Sequence, residues 1–466
     1  MYLNTAGGHS RKPIVLEFPY RSDSTELFER IADRPWSAFL DSCQPQGEQG
    51  RYDILTANPR KTLVTRGSIT GMRDGEALRI SREDPFKLLQ QALGPTRESL
   101  EAIPFCGGAI GWFGYDLARR LERLPSQAVD DTGVPDMAVA VYDWALVVDH
   151  QRRCSWLVGE DEAQLRARKE WFLSGIAEST KQPDAYSTSG PILCNINHPC
   201  YIARIERIQH YIREGDCYQV NFARRFSVAS RGDPWRAYKR LRQLNPAPFG
   251  AYLNTPGCQV LSSSPERFLH CKSGAVETRP IKGTCPRGLN PEQDRRLAEA
   301  LLASSKDRAE NLMIVDLLRN DLGKVCLPGS VKVPELCKLE SFIRVHHLVS
   351  TVHGRLAPGQ TALTLLRACF PGGSITGAPK LRAMQIIEEL EPNRRGVYCG
   401  AIGYVGFDGA MDTNIAIRTL QVCKGMTHLW AGGGIVADSD PEEEYQETYH
   451  KASALLDLLQ RMRRKK

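Results

Sequence analysis

The 466 residues carry 61 Lys and Arg against 54 Asp and Glu, a formal charge of +7, and are 42% hydrophobic and 25% charged. That composition excludes a disordered chain, a collagen-like repeat and a membrane bundle, and the length suffices for one large core or two to three ordinary ones. No basic stripe interleaved with aromatics points to nucleic acid, no apolar run is long enough to cross a bilayer, and Met1 to Pro13 lacks the apolar centre of a secretory signal. A cytoplasmic protein with neither a nucleic-acid nor a membrane partner is expected.

The 14 cysteines are scattered, with no C-x-x-C set, and read as reduced thiols. Part of the positive charge is the tail Arg461, Arg463, Arg464, Lys465 and Lys466, which reads as a solvated helix end. A mildly positive chain can draw in a dianionic metabolite.

In chain order, the first ~180 residues are strand-rich with short helices. Met137 to His150 reads as one apolar strand that includes Trp144. Lys181 to Ile192 is polar and aperiodic, the pattern of a linker or crossover. A helix is predicted over Tyr201 to Arg213, with Ile202, Ile205, Ile208 and Ile212 on one side. Asn290-Pro291-Glu292-Gln293 has an N-cap, Pro at the first helical position and Gln at the third, and starts a helical pattern to about Leu322 with a break near Ser305. Asp440-Pro441-Glu442-Glu443 starts another, through Ala454, Leu455 and Leu459. Its acidic first turn suits the positive end of the helix dipole. One internal echo stands out, Gly108-Ala-Ile-Gly-Trp-Phe-Gly-Tyr-Asp116 against Gly400-Ala-Ile-Gly-Tyr-Val-Gly-Phe-Asp408. Two halves about a pseudo-twofold axis explain it, and so does convergent strand composition.

Candidate chemistry lies in the second part of the chain. Lys282, in Pro280-Ile281-Lys282-Gly283-Thr284, is either a surface lysine before a turn or an amine nucleophile. With a pKa of ~10.4 only about 0.04% of an ordinary lysine is neutral at pH 7, so the second reading requires burial or nearby cations. Glu266, in Ser262-Ser-Ser-Pro-Glu-Arg267, is a salt-bridged carboxylate or a general acid–base. Glu444 and Glu447 share a helix face at i, i+3, and Glu310 lies on the other capped helix. These carboxylates form an acidic solvated face or a Mg²⁺ site, since Mg²⁺ keeps several waters and binds one or two carboxylates plus its substrate. Pro371 to Lys380 has the composition of an anion cradle leading into a helix near Leu381, and Gly432, Gly433 and Gly434 let backbone approach closely. His347 is a core histidine or a site residue, and Arg418 forks onto a ligand carboxylate or a structural Asp.

Taken in order, Pro265-Glu266-Arg267-Phe268, Pro280 to Thr284, Asp316 to Asp321, His347-Leu-Val-Ser350, Pro371 to Lys380 and Ala431 to Val436 resemble the chorismate-utilising enzyme family. The likeness is dense from about 195 to 460 and thinner upstream, through Pro104 to Gly108 and Tyr115-Asp-Leu117. Gln219, in Tyr218-Gln219-Val220-Asn221, stands where isochorismate-type members carry a water-activating lysine, which implies ammonia as nucleophile. Lys282 stands where anthranilate synthases place alanine, which implies amination of chorismate at C4 to 4-amino-4-deoxychorismate, on the way to 4-aminobenzoate and folate. The rival readings are an anthranilate synthase component and a non-catalytic chorismate-family binding or regulatory homologue.

The resemblance further implies Lys282 as nucleophile and Glu266 as acid–base catalyst. Mg²⁺ would sit on Glu310, Glu444 and Glu447. Substrate contacts would come from Gly283, Thr284, His347, Ser374, Tyr398, Arg418 and Gly432 to Gly434. No glutaminase segment of the Gly-x-Cys-x-Gly type is present, so a separate glutamine amidotransferase subunit would deliver ammonia. Ser42, Gln49, Gly50, Arg51, Tyr52, Pro248, Phe249 and Gly250 match a tryptophan-binding pocket of similar proteins, with Gln49 where tyrosine is usual. The implied fold is α+β: two large, mostly antiparallel sheets packed as a sandwich flanked by helices. Residues 1–190 would form a strand-rich region with that pocket and 191–466 the chorismate-binding region, both interleaved in one fold.

Overall fold

The computed structural model describes residues 12–43, 50–174, 185–342 and 345–464. They build two twelve-stranded sheets from antiparallel pairs such as Ser37–Asp41 on Phe249–Thr255 and Gly108–Phe113 on Ala401–Gly406. The sheets pack face to face with helices on both outer faces, an α+β sandwich.

The run from Met137 shows how residues sort into these layers. It is two strands rather than one: Met137–Tyr142 in one sheet and Trp144–Asp149 in the other, with the chain crossing at Asp143. Both strands are buried along their whole length, so their sequences are continuously apolar and the lone Asp143 is the sole mark of the break. Alternation then divides the side chains. Ala138, Ala140, Tyr142, Ala145 and Val147 enter the core between the sheets. Met137, Val139 and Val141 enter a second core under the helices of one sheet, and Trp144, Leu146 and Val148 a third under those of the other.

The echoed segments are neighbours. Gly108 pairs with Gly406, Gly111 with Gly403 and Ala401 with Phe113, so equivalent positions are exchanged about a local twofold at Gly111–Gly403. A side chain on Gly111 would strike the Ala138 carbonyl, and one on Gly403 the Asp412 carbonyl. Both positions therefore require glycine for the same reason. The symmetry extends outward through both sheets. In the first, Tyr52–Thr56 corresponds to Cys258–Ser264, Trp144–Asp149 to Thr419–Cys423, Cys154–Gly159 to Met426–Ile435 and Ile14–Phe18 to Gln219–Arg231. Helices follow the same order, Glu162–Leu173 answering Pro441–Arg461. Each sheet thus draws strands from both sides of residue 190.

The predicted helices stand at His198–Arg213, Pro291–Ala303, Ser305–Gly323 and Pro441–Arg461, the middle two divided at Ser304 as the break near Ser305 foretold. The expected linker Lys181 to Ile192 differs. Residues 181–184 lie outside the described set, and Ser187–Cys194 is an edge strand on Gln219–Arg231. Its polar character follows from exposure of one face at the sheet margin. No helix among the described residues is long and apolar enough to cross a membrane.

Candidate active site

Two places where the chain passes between sheets set the site. Glu266 lies between Cys258–Ser264 in one sheet and Arg267–Lys272 in the other; Arg418 lies between Met411–Ile415 and Thr419–Cys423. Glu266 is 5% exposed. Its Oε1 accepts a 2.8 Å bond from the Ser374 hydroxyl, its carboxylate another from the Ile281 amide, and its carbonyl one from the Ile415 amide at 3.0 Å. Burial pushes the carboxyl up to about 7, against the opposing pull of the Ser374 bond and the Lys282 charge. Half-protonated near neutrality, it can both give and take a proton.

Lys282 is on strand Ile281–Pro286, one residue beyond the amide that holds Glu266. Its side chain is 13% exposed, and Nζ lies 3.9 Å from Glu310 Oε2. Burial holds the amine below the ordinary lysine range, with Glu310 opposing and Lys451 adding to the shift. The reading of a surface lysine is thereby removed. Gln219, at the start of Gln219–Arg231, donates from Nε2 to Glu310 Oε2 at 3.4 Å, while its buried Oε1 has no partner.

Glycines make the room these groups occupy. A side chain on Gly434 would collide with the Gln219 amide and come 3.5 Å from Lys282 Nζ. One on Gly433 would come 2.8 Å from Glu444 Oε2 and 3.2 Å from Glu447 Oε1. Gly432 lies against Phe222 and Ala223, and its carbonyl accepts from Lys451 Nζ at 3.1 Å. Glu444 is 4% exposed; Oε1 accepts from the Ser439 hydroxyl at 2.7 Å, and Oε2 is buried without a partner. Burial and the neighbouring Glu447 raise its carboxyl. Burial also favours a neutral Glu447, but the Lys451 ammonium, in ion-pair contact with it, prevails and lowers it. Glu310 is raised, chiefly by burial. The three glutamates face one space, yet among the described residues no three His, Cys, Asp or Glu come close enough to hold a metal as they stand.

Across the strands Ile281–Pro286 and Val345–Arg355, Thr284 pairs with His347, and Thr284 Oγ1 is 2.7 Å from His347 Nδ1. Burial, aided by the Arg418 charge, takes His347 down to about 4, so it is neutral at physiological pH. No ion pair is recorded for Arg418 among the described residues, and burial lowers its own affinity for a proton. A half-buried guanidinium without an acid beside it is suited to a ligand carboxylate. Gly283 has φ +81°, and a side chain there would press on Asp307. Ser374 sits in the 3₁₀ turn Gly373–Ile375, which is held against strand Gln219–Arg231 by Gly377–Ala378 and by Arg395 bonded to the Ile375 and Asn221 carbonyls. Tyr398 stacks on Trp430 at 6.0 Å, two residues from Gly432. No hydrogen bond recorded among the described residues joins its hydroxyl to Glu266 or Lys282.

Of the residues expected at a tryptophan pocket, Arg51, Tyr52, Pro248, Phe249 and Gly250 line a cavity of about 270 Å³ between the sheets. Ser42 instead turns to Asp53 at 2.7 Å, Gly50 packs behind Pro248, and Gln49 lies outside the described residues. Sequence reasoning assigned no role to Lys306 and Lys451, which pair with Glu444 and Glu447. The spacing of Glu447 and Lys451 at i, i+4 was the available signal.

The family model of chorismate binding enzymes matches residues 38–457. This chain belongs to the chorismate binding enzyme family. Within that family it is 48% identical to aminodeoxychorismate synthase component 1 of Klebsiella aerogenes, over 96% of this chain and 99% of the relative. It is 47% identical to the same component of Escherichia coli (strain K12), again over 96% and 99%. Among solved structures, anthranilate synthase component I from Streptococcus pneumoniae TIGR4 superposes with a TM-score of 0.78 at 34% identity, covering 88% of this chain and 93% of that one. Glu266, Lys282 and the glycine-lined carboxylates all fall inside the matched segment of this chorismate binding enzyme.

Proposed function

We propose that the protein aminates chorismate at C4 with ammonia, giving 4-amino-4-deoxychorismate for 4-aminobenzoate and folate synthesis. The observation that carries this reading is the Lys282 amine, buried in the site beside Glu310 and next to the amide that holds Glu266. The near-full-length likeness to two component 1 relatives supports it.

Hydroxide is a poor leaving group, so its departure needs an acid. In the proposed sequence the neutral Lys282 amine bonds to ring C2, the two ring double bonds shift, and the C4–O bond breaks as Glu266 gives its proton, releasing water. Ammonia then bonds to C4, the two double bonds return, and the C2–N bond to Lys282 breaks. Glu266 takes the proton lost by the incoming nitrogen, which restores both groups. A transient amine adduct divides one hard displacement into two easier ones. Arg418 is assigned to a substrate carboxylate, and Thr284, His347, Ser374 and the glycine strand to orienting the ring.

Glu310, Glu444 and Glu447 would hold Mg²⁺. The orphaned, buried Oε2 of Glu444 and the all-oxygen donor set fit a hard cation. Bound there, the ion would supply positive charge to a substrate carboxylate. We further assign the ammonia supply to a separate glutamine amidotransferase subunit forming a heterodimer with this chain, and the protein to the cytoplasm, where its fourteen free thiols remain reduced.

Mass spectrometry of the products from chorismate, Mg²⁺ and ammonium salt tests the reading. A product bearing nitrogen in place of the C4 oxygen is expected; fluorescent anthranilate with release of pyruvate would overturn it.

A further inference from the structure

The three glutamates of the proposed cation site are matched by three lysines. Lys282 Nζ stands 3.9 Å from Glu310, Lys306 Nζ 3.7 Å from Glu444 Oε1, and Lys451 Nζ is in ion-pair contact with Glu447. Lys451 is also fixed by its bond to the Gly432 carbonyl. Lys282 has the chemical role described above. Lys306 and Lys451 have none, yet each is anchored on a carboxylate that a cation needs. Their side chains are 51% and 45% exposed, so both have solvent to retreat into. Glu444 keeps Oε2 buried and unpartnered, 2.8 Å from where a side chain on Gly433 would stand.

We propose that Lys306 and Lys451 are resident counter-cations of Glu444 and Glu447, and that a divalent cation occupies the site by displacing them. The inference rests on the cation reading of these glutamates. Charge counting gives it a consequence. A divalent ion brings two positive charges to this cluster and a dianionic substrate brings two negative ones. Arriving together, the two offset each other's charge. Each therefore strengthens binding of the other, equally in both directions. The lysines set the strength of that coupling by making the ion weak when substrate is absent.

The test is Mn²⁺ binding to the full chain without substrate, followed by electron paramagnetic resonance. Lys306→Met and Lys451→Met should each tighten Mn²⁺ by at least about fivefold, the weight of one unit charge near 4 Å even in a water-like dielectric. Lys451→Arg should stay near wild type, and adding chorismate should tighten Mn²⁺ less in the Met variants than in wild type. Unchanged or weaker Mn²⁺ in both Met variants, with binding still abolished by Glu444→Gln, overturns the role of the lysines and leaves the cation site standing. Mn²⁺ affinity indifferent to Glu444→Gln overturns the cation site itself, and this proposal with it.

Discussion

Along the helix that follows the last strand of each half, the same positions hold opposite kinds of residue. Both helices have an Asp N-cap, Asp161 and Asp440. Four, seven and eleven residues on, the first half places Leu165, Arg168 and Phe172, and the second Glu444, Glu447 and Lys451. Leu165 and Phe172 are buried in the core, and Arg168 lies over the Trp144 ring at 4.4 Å. The strand before the first helix carries buried Leu157 and Val158 and stops at Gly159, whereas its counterpart runs on past Leu429 and Trp430 through Gly432 to Gly434. Each half also crosses sheets immediately before its next strand, at Asp143 in one and Arg418 in the other. One copy of the architecture is filled with side chains; the other is hollowed by glycines and lined with charge. A repeated fold therefore supplies the frame, and the presence or absence of side-chain volume decides which copy does chemistry.

Variants in the two halves should separate accordingly. Lys282→Ala carries the largest expected effect: loss of 4-amino-4-deoxychorismate with folding intact, read by mass spectrometry and circular dichroism. Full retained output would show that this amine is not a nucleophile. Glu266→Gln should lower kcat by about 10²–10⁴-fold, the usual weight of a positioned acid–base group. In the wild type, kcat/KM should fall as pH rises through about 7, as the acid form is lost. A profile without that descending limb would remove Glu266 from the acid role.

The same carboxyl predicts a stability effect. Burial raises it from 4.5 to about 7. The folded state therefore binds the proton more tightly than the unfolded state, and stability is lost as pH rises between those values, by roughly 3 kcal/mol once complete. Glu266→Gln should recover about that amount near pH 8 and little near pH 4, measured by urea unfolding.

In the filled half, Leu165→Ala should cost about 2–5 kcal/mol of stability without moving the KM for chorismate. Its counterpart Glu444→Gln should abolish cation binding with a smaller loss of stability. If Leu165→Ala shifted KM instead, the filled copy would be part of the site. Arg418→Met is expected to raise the KM for chorismate roughly 10- to 100-fold, since hydrogen bonds to charged groups contribute about 1.5–3 kcal/mol. Asp143→Asn, at the matching crossing, should leave KM unchanged.

Much of this was legible in the residues. Helix starts announced themselves through Asn290-Pro291 and Asp440-Pro441, because capping is local chemistry. The echo at Gly108 and Gly400 marked the twofold, although only the register of Ala401 to Gly406 on Gly108 to Phe113 separated symmetry from coincidence. The break at Asp143 was hidden, since burial on both faces erases the alternation that would have dated the change of sheet. At the site, motif order brought Glu266, Lys282 and the three glutamates to attention. Their long-range partners did not follow: Ser374 is 108 residues from Glu266, and no local pattern encodes that distance. Lys451 escaped notice because an i, i+4 charge pair on a helix is commonly a solvated ornament, and Lys306 because its partner Glu444 lies on another helix far along the chain.

The exchange of strands across the twofold bears on how the chain must be made. Ser37–Asp41 has Tyr52–Thr56 on one side but waits for Phe249–Thr255 on the other, and Gly108–Phe113 has Met137–Tyr142 on one side but waits for Ala401–Gly406 on the other. At roughly 5–20 residues per second of synthesis, the early strands wait on the order of ten seconds to a minute for their partners to leave the ribosome. Throughout that interval the apolar edges at the heart of both future sheets are open to wrong pairing. A chaperone that shields nascent strands should matter more to the yield of this protein than to that of one whose halves close independently.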